Sequence, residues 1–214
     1  MMKVCVALAL MFSGVSALVS TPIVSSRSGI VMKAEMSKSM PFLEKPALLD
    51  GTMAGDKGFD PLGLSEIDDV GIDLYWLREA ELKHCRVAML AFAGIVFVEL
   101  FGPLPGWPFA EGRSQCDVFW DTVEEHPNAI VSAFLALGIV EVITGVAVTQ
   151  GRESGKRAPG DYGFNPMDFK VTESMAEKEV SNGRLAMWAM AGILLQGVTT
   201  HKPALANFGD FFSA

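Results

Sequence analysis

Three long apolar stretches organise this chain: about Tyr75–Phe101, Ala129–Val148 and Glu173–Val198. A helix needs about 20 residues to cross a hydrocarbon core at 1.5 Å rise each, and every stretch supplies them. Helices of a soluble bundle carry a polar stripe at 3.6 spacing, whereas Val87–Val98 and Ile130–Val140 have none. The pattern predicts an all-α membrane protein with three transmembrane helices, at about 73–101, 128–149 and 173–198. Pro103, Pro105 and Pro108, interleaved with Gly102 and Gly106, end the first. Pro127 suits the first turn of the second, with His126 or Glu125 just outside it.

Composition agrees. Half of the 214 residues are hydrophobic, 20% are charged, and the mean hydropathy is +0.32. A soluble domain carries about 25% charged residues. The net charge of −8 argues against nucleic-acid binding, which needs clustered Lys and Arg. Cys5, Cys85 and Cys116 are too few and too scattered for a disulfide framework or a zinc module.

Residues 1–32 read as an address that is cleaved, leaving 33–214 as the mature domain. Lys3, the apolar run Val4–Phe12 and the small residues Val15-Ser16-Ala17 form a signal pattern too short to span a bilayer. The Ser-rich, acid-free stretch that follows, with Arg27, resembles a transit peptide. Together they suggest import into a plastid enclosed by extra membranes, with plain secretion as the alternative. The connection between spans two and three carries Arg152, Lys156, Arg157, Lys170 and Lys178, while that between spans one and two is acidic. The positive-inside rule then places the amino terminus in the stroma and the carboxyl terminus in the thylakoid lumen.

The strongest signal is an internal repeat. Residues 81–95 and 179–193, at a constant offset of 98, are identical at eight of fifteen positions, including Glu81/Glu179, Arg86/Arg184, Ala88/Ala186, Met89/Met187 and Gly94/Gly192. Upstream of each lies a related loop, Gly58-Phe59-Asp60-Pro61-Leu62 and Gly163-Phe164-Asn165-Pro166-Met167. Spans one and three are thus duplicates running the same way, suited to cross about a pseudo-two-fold axis along the membrane normal. Small residues (Ala88, Ala91 and Gly94, with Ala186, Ala189 and Gly192) would let the backbones approach.

Glu and Arg stand five residues apart in each copy, about 140° round the helix, so they do not pair as i,i+4 neighbours do. Ionised groups in a membrane are costly unless paired or functional. The repeat offers a pairing between helices, Glu81 with Arg184 and Glu179 with Arg86. Three residues after each Glu stands His84 or Asn182, and Gln196 lies about 21 Å further along the face of Asn182. Span two contributes Glu141, whose partner is not evident (Arg152 is eleven residues on). His, Asn, Gln and an ion-paired Glu each offer a lone pair without leaving net charge. A tetrapyrrole magnesium needs one such axial donor, and oxygen or imidazole suits it. Single ligands dispersed along helices fit several macrocycles better than one catalytic metal, which needs converging ligands.

At these residues the chain resembles the light-harvesting chlorophyll-binding proteins of thylakoids. Glu81-x-x-His84-x-Arg86-x-Ala88-Met89 and Glu179-x-x-Asn182-Gly183-Arg184-Leu185-Ala186-Met187 are similar to that family's two chlorophyll-binding signatures. The resemblance implies Glu81, His84, Glu179, Asn182 and Gln196 as axial ligands, Glu141 as a further one, and Arg86 and Arg184 as ion-pair partners. It implies two carotenoids beside the crossed helices, with the Asp60-Pro61 and Asn165-Pro166 loops capping their end groups, and a short amphipathic lumenal helix at the carboxyl terminus. Ala133 stands where green-plant members have a glutamine ligand, and Asn207-Phe208-Gly209-Asp210 runs into Phe211 rather than a ligand histidine. These departures and the leader resemble the fucoxanthin chlorophyll a/c antennae of red-lineage algae. The expected cofactors are therefore chlorophyll a, chlorophyll c and a fucoxanthin-type or related xanthophyll. The expected partners are a photosystem I or II core, other antenna subunits and thylakoid lipids.

Two other readings stay open on sequence. One is a photoprotective quencher of the same fold that senses lumenal acid through Asp117, Asp121, Glu124 and Glu125. The other is a pigment-free transporter, which should show helices broken at Gly or Pro. No HExxH, Walker loop or nucleophile elbow occurs, so no enzyme is expected. Glu99 and His201 read as solvated surface groups, His126 as a possible ligand, and Cys85 as a small packing residue.

Overall fold

The computed structural model describes residues 36–67, 73–103 and 112–213, all within one unit, Glu35–Ala214. The leader, and Pro105, Pro108 and Trp107 after the first span, lie outside the described residues. Among the described residues the regular structure is helical, with one isolated bridge between Met36 and Glu44. The helices are α1 (Leu74–Phe101), α2 (Gln115–Glu125), α3 (Pro127–Ser154), α4 (Glu173–Thr200) and α5 (Ala204–Ser213), with a 3-10 turn at Leu64–Glu66.

Local chemistry fixes the helix ends. Asp73 caps α1 by accepting the Trp76 N–H (2.9 Å), and Thr172 caps α4 by accepting that of Met175. Pro127 opens α3 in its first turn, and Gly155 closes it in the left-handed region (φ 60°). α1, α3 and α4 have 28 residues each, about 42 Å of helix. Each is continuous over that length, unlike the broken helices a transporter would use.

Two of them, α1 and α3, are long and apolar enough to cross a membrane. α4 matches them in length but differs in composition, because Glu173, Glu177, Lys178 and Glu179 crowd its first turns. The expected third span is therefore a helix whose apolar part begins only near Leu185.

The core is small and lies where α1 and α4 cross. Its buried apolar side chains are Leu82, Cys85, Val180 and Ala186. Gly183 lies against Cys85, so closely that a Cβ on the glycine would stand 2.6 Å from the thiol sulfur. These two residues occupy the same position in the repeat, so the close approach falls on the pseudo-two-fold. The expected contact at Gly94 and Gly192 does not form. A Cβ at either would meet nothing within 4 Å, because the helices diverge beyond the crossing.

α1 and α4 end on the same side. Glu99 near the end of α1 accepts the N–H groups of Ala204 and Leu205 (2.8 Å each), capping α5 just beyond the end of α4. Glu99 is thus a helix cap rather than a merely solvated charge. Ser114, which caps α2, donates its N–H to the His201 carbonyl at the end of α4 (3.1 Å). α3 runs antiparallel to α1, and its Arg152 reaches back to Asp73 (2.8 Å). The apolar window of α3 buries none of its residues within the protein. Phe134, Leu137, Ile139 and Ile143 all face outward, which suits an apolar environment and not water.

Candidate functional site

Both interhelical ion pairs offered by the repeat are present. Arg184 Nε donates to Glu81 Oε1 and Arg86 Nε donates to Glu179 Oε1, each at 2.7 Å. Each guanidinium makes a second bond, to the loop that leads into the opposite helix. Arg184 Nη1 donates to the Gly55 carbonyl (2.8 Å) and Arg86 Nη1 to that of Gly160 (2.7 Å). Both glycines have positive φ (72° and 79°), and a Cβ on either would run into the opposite helix, at Val180 or at Leu82. The duplication thus extends from helices to loops: Asp56 accepts the Gly58 N–H just as Asp161 accepts that of Gly163.

The two ion pairs differ in one respect. Arg78 Nη1 donates to Glu81 Oε2 (2.6 Å), so two guanidinium groups hold Glu81. The equivalent position before Glu179 is Ala176, and among the described residues Oε2 of Glu179 accepts no hydrogen bond. Arg78 lies outside the expected set, although its i,i+3 spacing from Glu81 carries the signal. Glu79 likewise lies outside that set. It is buried and accepts from Arg157 Nη2 (2.7 Å), Tyr162 Oη (3.0 Å) and Tyr75 Oη (3.3 Å). This cluster fastens the loop that presents Gly160 to Arg86.

The other expected ligands are open to an incoming group. His84 donates from Nδ1 to the Ala80 carbonyl (2.7 Å), which leaves the Nε2 lone pair directed outward on an exposed ring. Asn182 and Gln196 line one apolar groove of about 670 Å3, walled by Met89 and Phe92 of α1 and Leu205 and Phe208 of α5. On another face of the pair, a groove of about 890 Å3 runs past Asp60, Leu77, Glu81, Arg184 and Met187. Glu141 pairs with Lys83 across the α1–α3 gap, at 2.6 Å, while Arg152 is engaged by Asp73. Among the described residues no group of three His, Cys, Asp or Glu side chains converges to hold one metal ion.

The two loops use their polar side chains locally. Asp60 accepts the N–H groups of Leu64 (3.0 Å) and Ser65 (2.7 Å). Burial pushes its carboxyl up, but hydrogen bonds from Ser65, Leu64 and Gly63 outweigh this and hold it below the usual range. Asn165 closes its loop on Phe169 in both directions, donating to the carbonyl (2.8 Å) and accepting the N–H (3.1 Å). Pro61 and Pro166 follow in the same turns, which end in the exposed Leu62 and Met167.

At the other end, exposed His201 bonds the Asp117 carboxylate through Nδ1 (3.0 Å), so it is a paired surface group. Burial raises the Asp117 carboxyl, but hydrogen bonds from His201 and Ser114 and the nearby Arg113 charge bring it below its usual value of 3.8. A depressed carboxylate contributes stability above its unfolded pKa and loses it as pH falls through the folded one. Protection of the α2 amides, corrected for intrinsic exchange, should therefore hold from pH 7 to pH 5 and fall only below about pH 4. Loss already at pH 5.5 would contradict this. An acid sensor needs a group titrating in between, and Asp117 moves the other way.

Residues 45–198 match the family model described as chlorophyll A-B binding protein. The chain is 35% identical to photosystem I chlorophyll a/b-binding protein 5, chloroplastic, of Arabidopsis thaliana, over 84% of this chain and 77% of that protein. It is 34% identical to chlorophyll a-b binding protein 6, chloroplastic, of the same plant, over 87% and 79%. It is 32% identical to chlorophyll a-b binding protein 7, chloroplastic, of Solanum lycopersicum, over 88% and 76%. With crossed, ion-paired helices whose signatures recur in both halves, the chain belongs to the chlorophyll A-B binding protein family.

Proposed function

We propose that this chain is a light-harvesting antenna protein of the plastid thylakoid membrane, which holds chlorophylls and carotenoids and passes excitation to a photosystem. The observation that carries the reading is the reciprocal pair Glu81–Arg184 and Glu179–Arg86. Each arginine cancels a carboxylate charge and leaves oxygen lone pairs for a hard cation such as macrocycle magnesium. Glu81, His84, Glu179, Asn182, Gln196 and Glu141 are the axial ligands. Each macrocycle takes one, which fits donors spread along three helices rather than gathered at one point.

The pigments supply the absorption and excited-state chemistry. The chain's residues bind them, set their spacing and keep water and neighbouring macrocycles away from the magnesium. Nothing in that role calls for a catalytic group. α4 is the third membrane span: its charged first turns are neutralised in part by Arg86, and it runs beside α1 in the same direction over the same length. The amino terminus is stromal and the carboxyl terminus lumenal, after removal of residues 1–32. The two grooves beside the crossed pair hold the carotenoids, whose end groups reach the Asp60-Pro61 and Asn165-Pro166 loops. Ala133 and Phe211, in place of two ligands of green-plant members, together with the leader, favour chlorophyll a with chlorophyll c and a fucoxanthin-type xanthophyll. Partners are a photosystem I or II core, neighbouring antenna subunits and thylakoid lipids.

The test is an absorption spectrum of the purified native protein, followed by pigment extraction and chromatography. Bound magnesium tetrapyrroles and xanthophylls at fixed ratios to the chain are expected. A colourless protein overturns the reading, and chlorophyll b in place of chlorophyll c overturns the finer assignment.

A further inference from the structure

Lys83 lies two residues past Glu81, and two residues are 200° of helical turn, so it points away from the crossing with α4. Its Nζ donates to Glu141 Oε2 (2.6 Å) and to Thr144 Oγ1 (2.8 Å), both on α3. Glu141 is close to the middle of that helix, about 20 Å from either end. The other copy of the repeat has Ser181 at the position of Lys83, so this lysine is no part of the duplicated lock.

The pair is lopsided. The lysine side chain is 27% exposed and the carboxylate 64%. Among the described residues nothing hydrogen-bonds Glu141 Oε1, and its surroundings on α3 are the outward apolar side chains Leu137, Val140 and Val142. A pair serving only to join two helices would shelter both oxygens. A mid-span carboxylate with one oxygen directed into an apolar medium is costly unless a cation meets it.

We propose that Lys83 is a positioning residue for a third ion-paired magnesium site: it neutralises Glu141 from the neighbouring helix, holds Oε2, and leaves Oε1 as the axial donor to a tetrapyrrole beside α3. The assignment of the cation rests on the antenna reading. Lysine supplies a compact charge with three donors, of which two are used here, and arginine would serve the charge equally.

The full chain is reconstituted with its native pigment extract as wild type, Lys83→Met, Lys83→Arg, Glu141→Gln and the double variant Lys83→Met/Glu141→Gln. Lys83→Met should lose one tetrapyrrole per chain together with one component of the absorption spectrum, and Lys83→Arg should keep it. The double variant should regain at least half of the lost occupancy, because a neutral amide oxygen needs no counter-charge. A full complement in Lys83→Met, with only a lower melting temperature, would mean a plain helix lock and overturn the proposal. A double variant as depleted as Lys83→Met would also overturn it. Should Lys83→Met fail to assemble, Glu141→Gln with and without it should bind equal pigment, and a further loss on removing the lysine overturns the idea. Wild type without any tetrapyrrole would instead remove the antenna reading, and this inference with it.

Discussion

Arg86→Ala should damage the complex more than Arg184→Ala, although the two arginines occupy equivalent places in the repeat. Both variants lose a bond to a loop carbonyl, Gly160 or Gly55, so that part of the cost cancels. They differ in what remains on the carboxylate. Glu81 keeps Arg78 on Oε2 when Arg184 goes. Glu179 keeps no cation among the described residues when Arg86 goes. Leaving the half-buried Glu179 carboxylate with no counter-charge costs on the order of 3 kcal/mol. Losing one of two charge-assisted bonds costs about 2 kcal/mol. Asn182→Ala leaves no charge behind and should cost one macrocycle with little stability. Thermal unfolding and pigment-to-protein ratios of the reconstituted variants measure the order. Adding Glu179→Gln to Arg86→Ala should recover much of the loss, because it removes the stranded charge. Equal damage from the two arginine variants would contradict the asymmetry.

The second large effect is expected at the crossing point. Gly183→Leu should abolish assembly, because even a Cβ there collides with Cys85 and the helices cannot separate without breaking both ion pairs. Overpacking alone costs about 1–3 kcal/mol, and losing one partner of each pair adds to it. The control is a swap across the pseudo-two-fold, Gly183→Cys with Cys85→Gly. It restores one small and one larger residue at the contact and should assemble far better than Gly183→Cys alone. Equal failure of the swap and the single variant would show that the contact is not what limits approach. Gly94→Leu, at a position where a side chain meets open space, should be tolerated by comparison.

The sequence carried the helices and the reciprocal pairs because both follow from local rules. Apolar run length marks α1 and α3, and a duplicated Glu–Arg spacing that cannot close within one helix must close between two. The crossing point was less legible. Gly94 and Gly192 match in the repeat and look like the contact, whereas Cys85 and Gly183 differ in type and meet. A close approach needs one small partner at the axis, and nothing in the motif distinguishes that register from the next. Lys83 was invisible for another reason. Its partner Glu141 is 58 residues away on a helix whose rotation only the folded chain defines. Glu99 read as a solvated charge since the cap it makes lies 105 residues on. α4 was less legible as a span: a helix of the right length does not show by composition alone that it crosses, and its charged first turns become intelligible only beside Arg86.

A density map of the native pigment-bearing complex tests the central claim most directly, at a resolution that places macrocycles. The account predicts two magnesium macrocycles related by the pseudo-two-fold. Their metals should lie about 2.1 Å from an oxygen of Glu81 and of Glu179, with Arg184 and Arg86 still bonded to those carboxylates. Macrocycles bound elsewhere, with both carboxylates engaged only by arginine and lipid filling the space beside them, would contradict it.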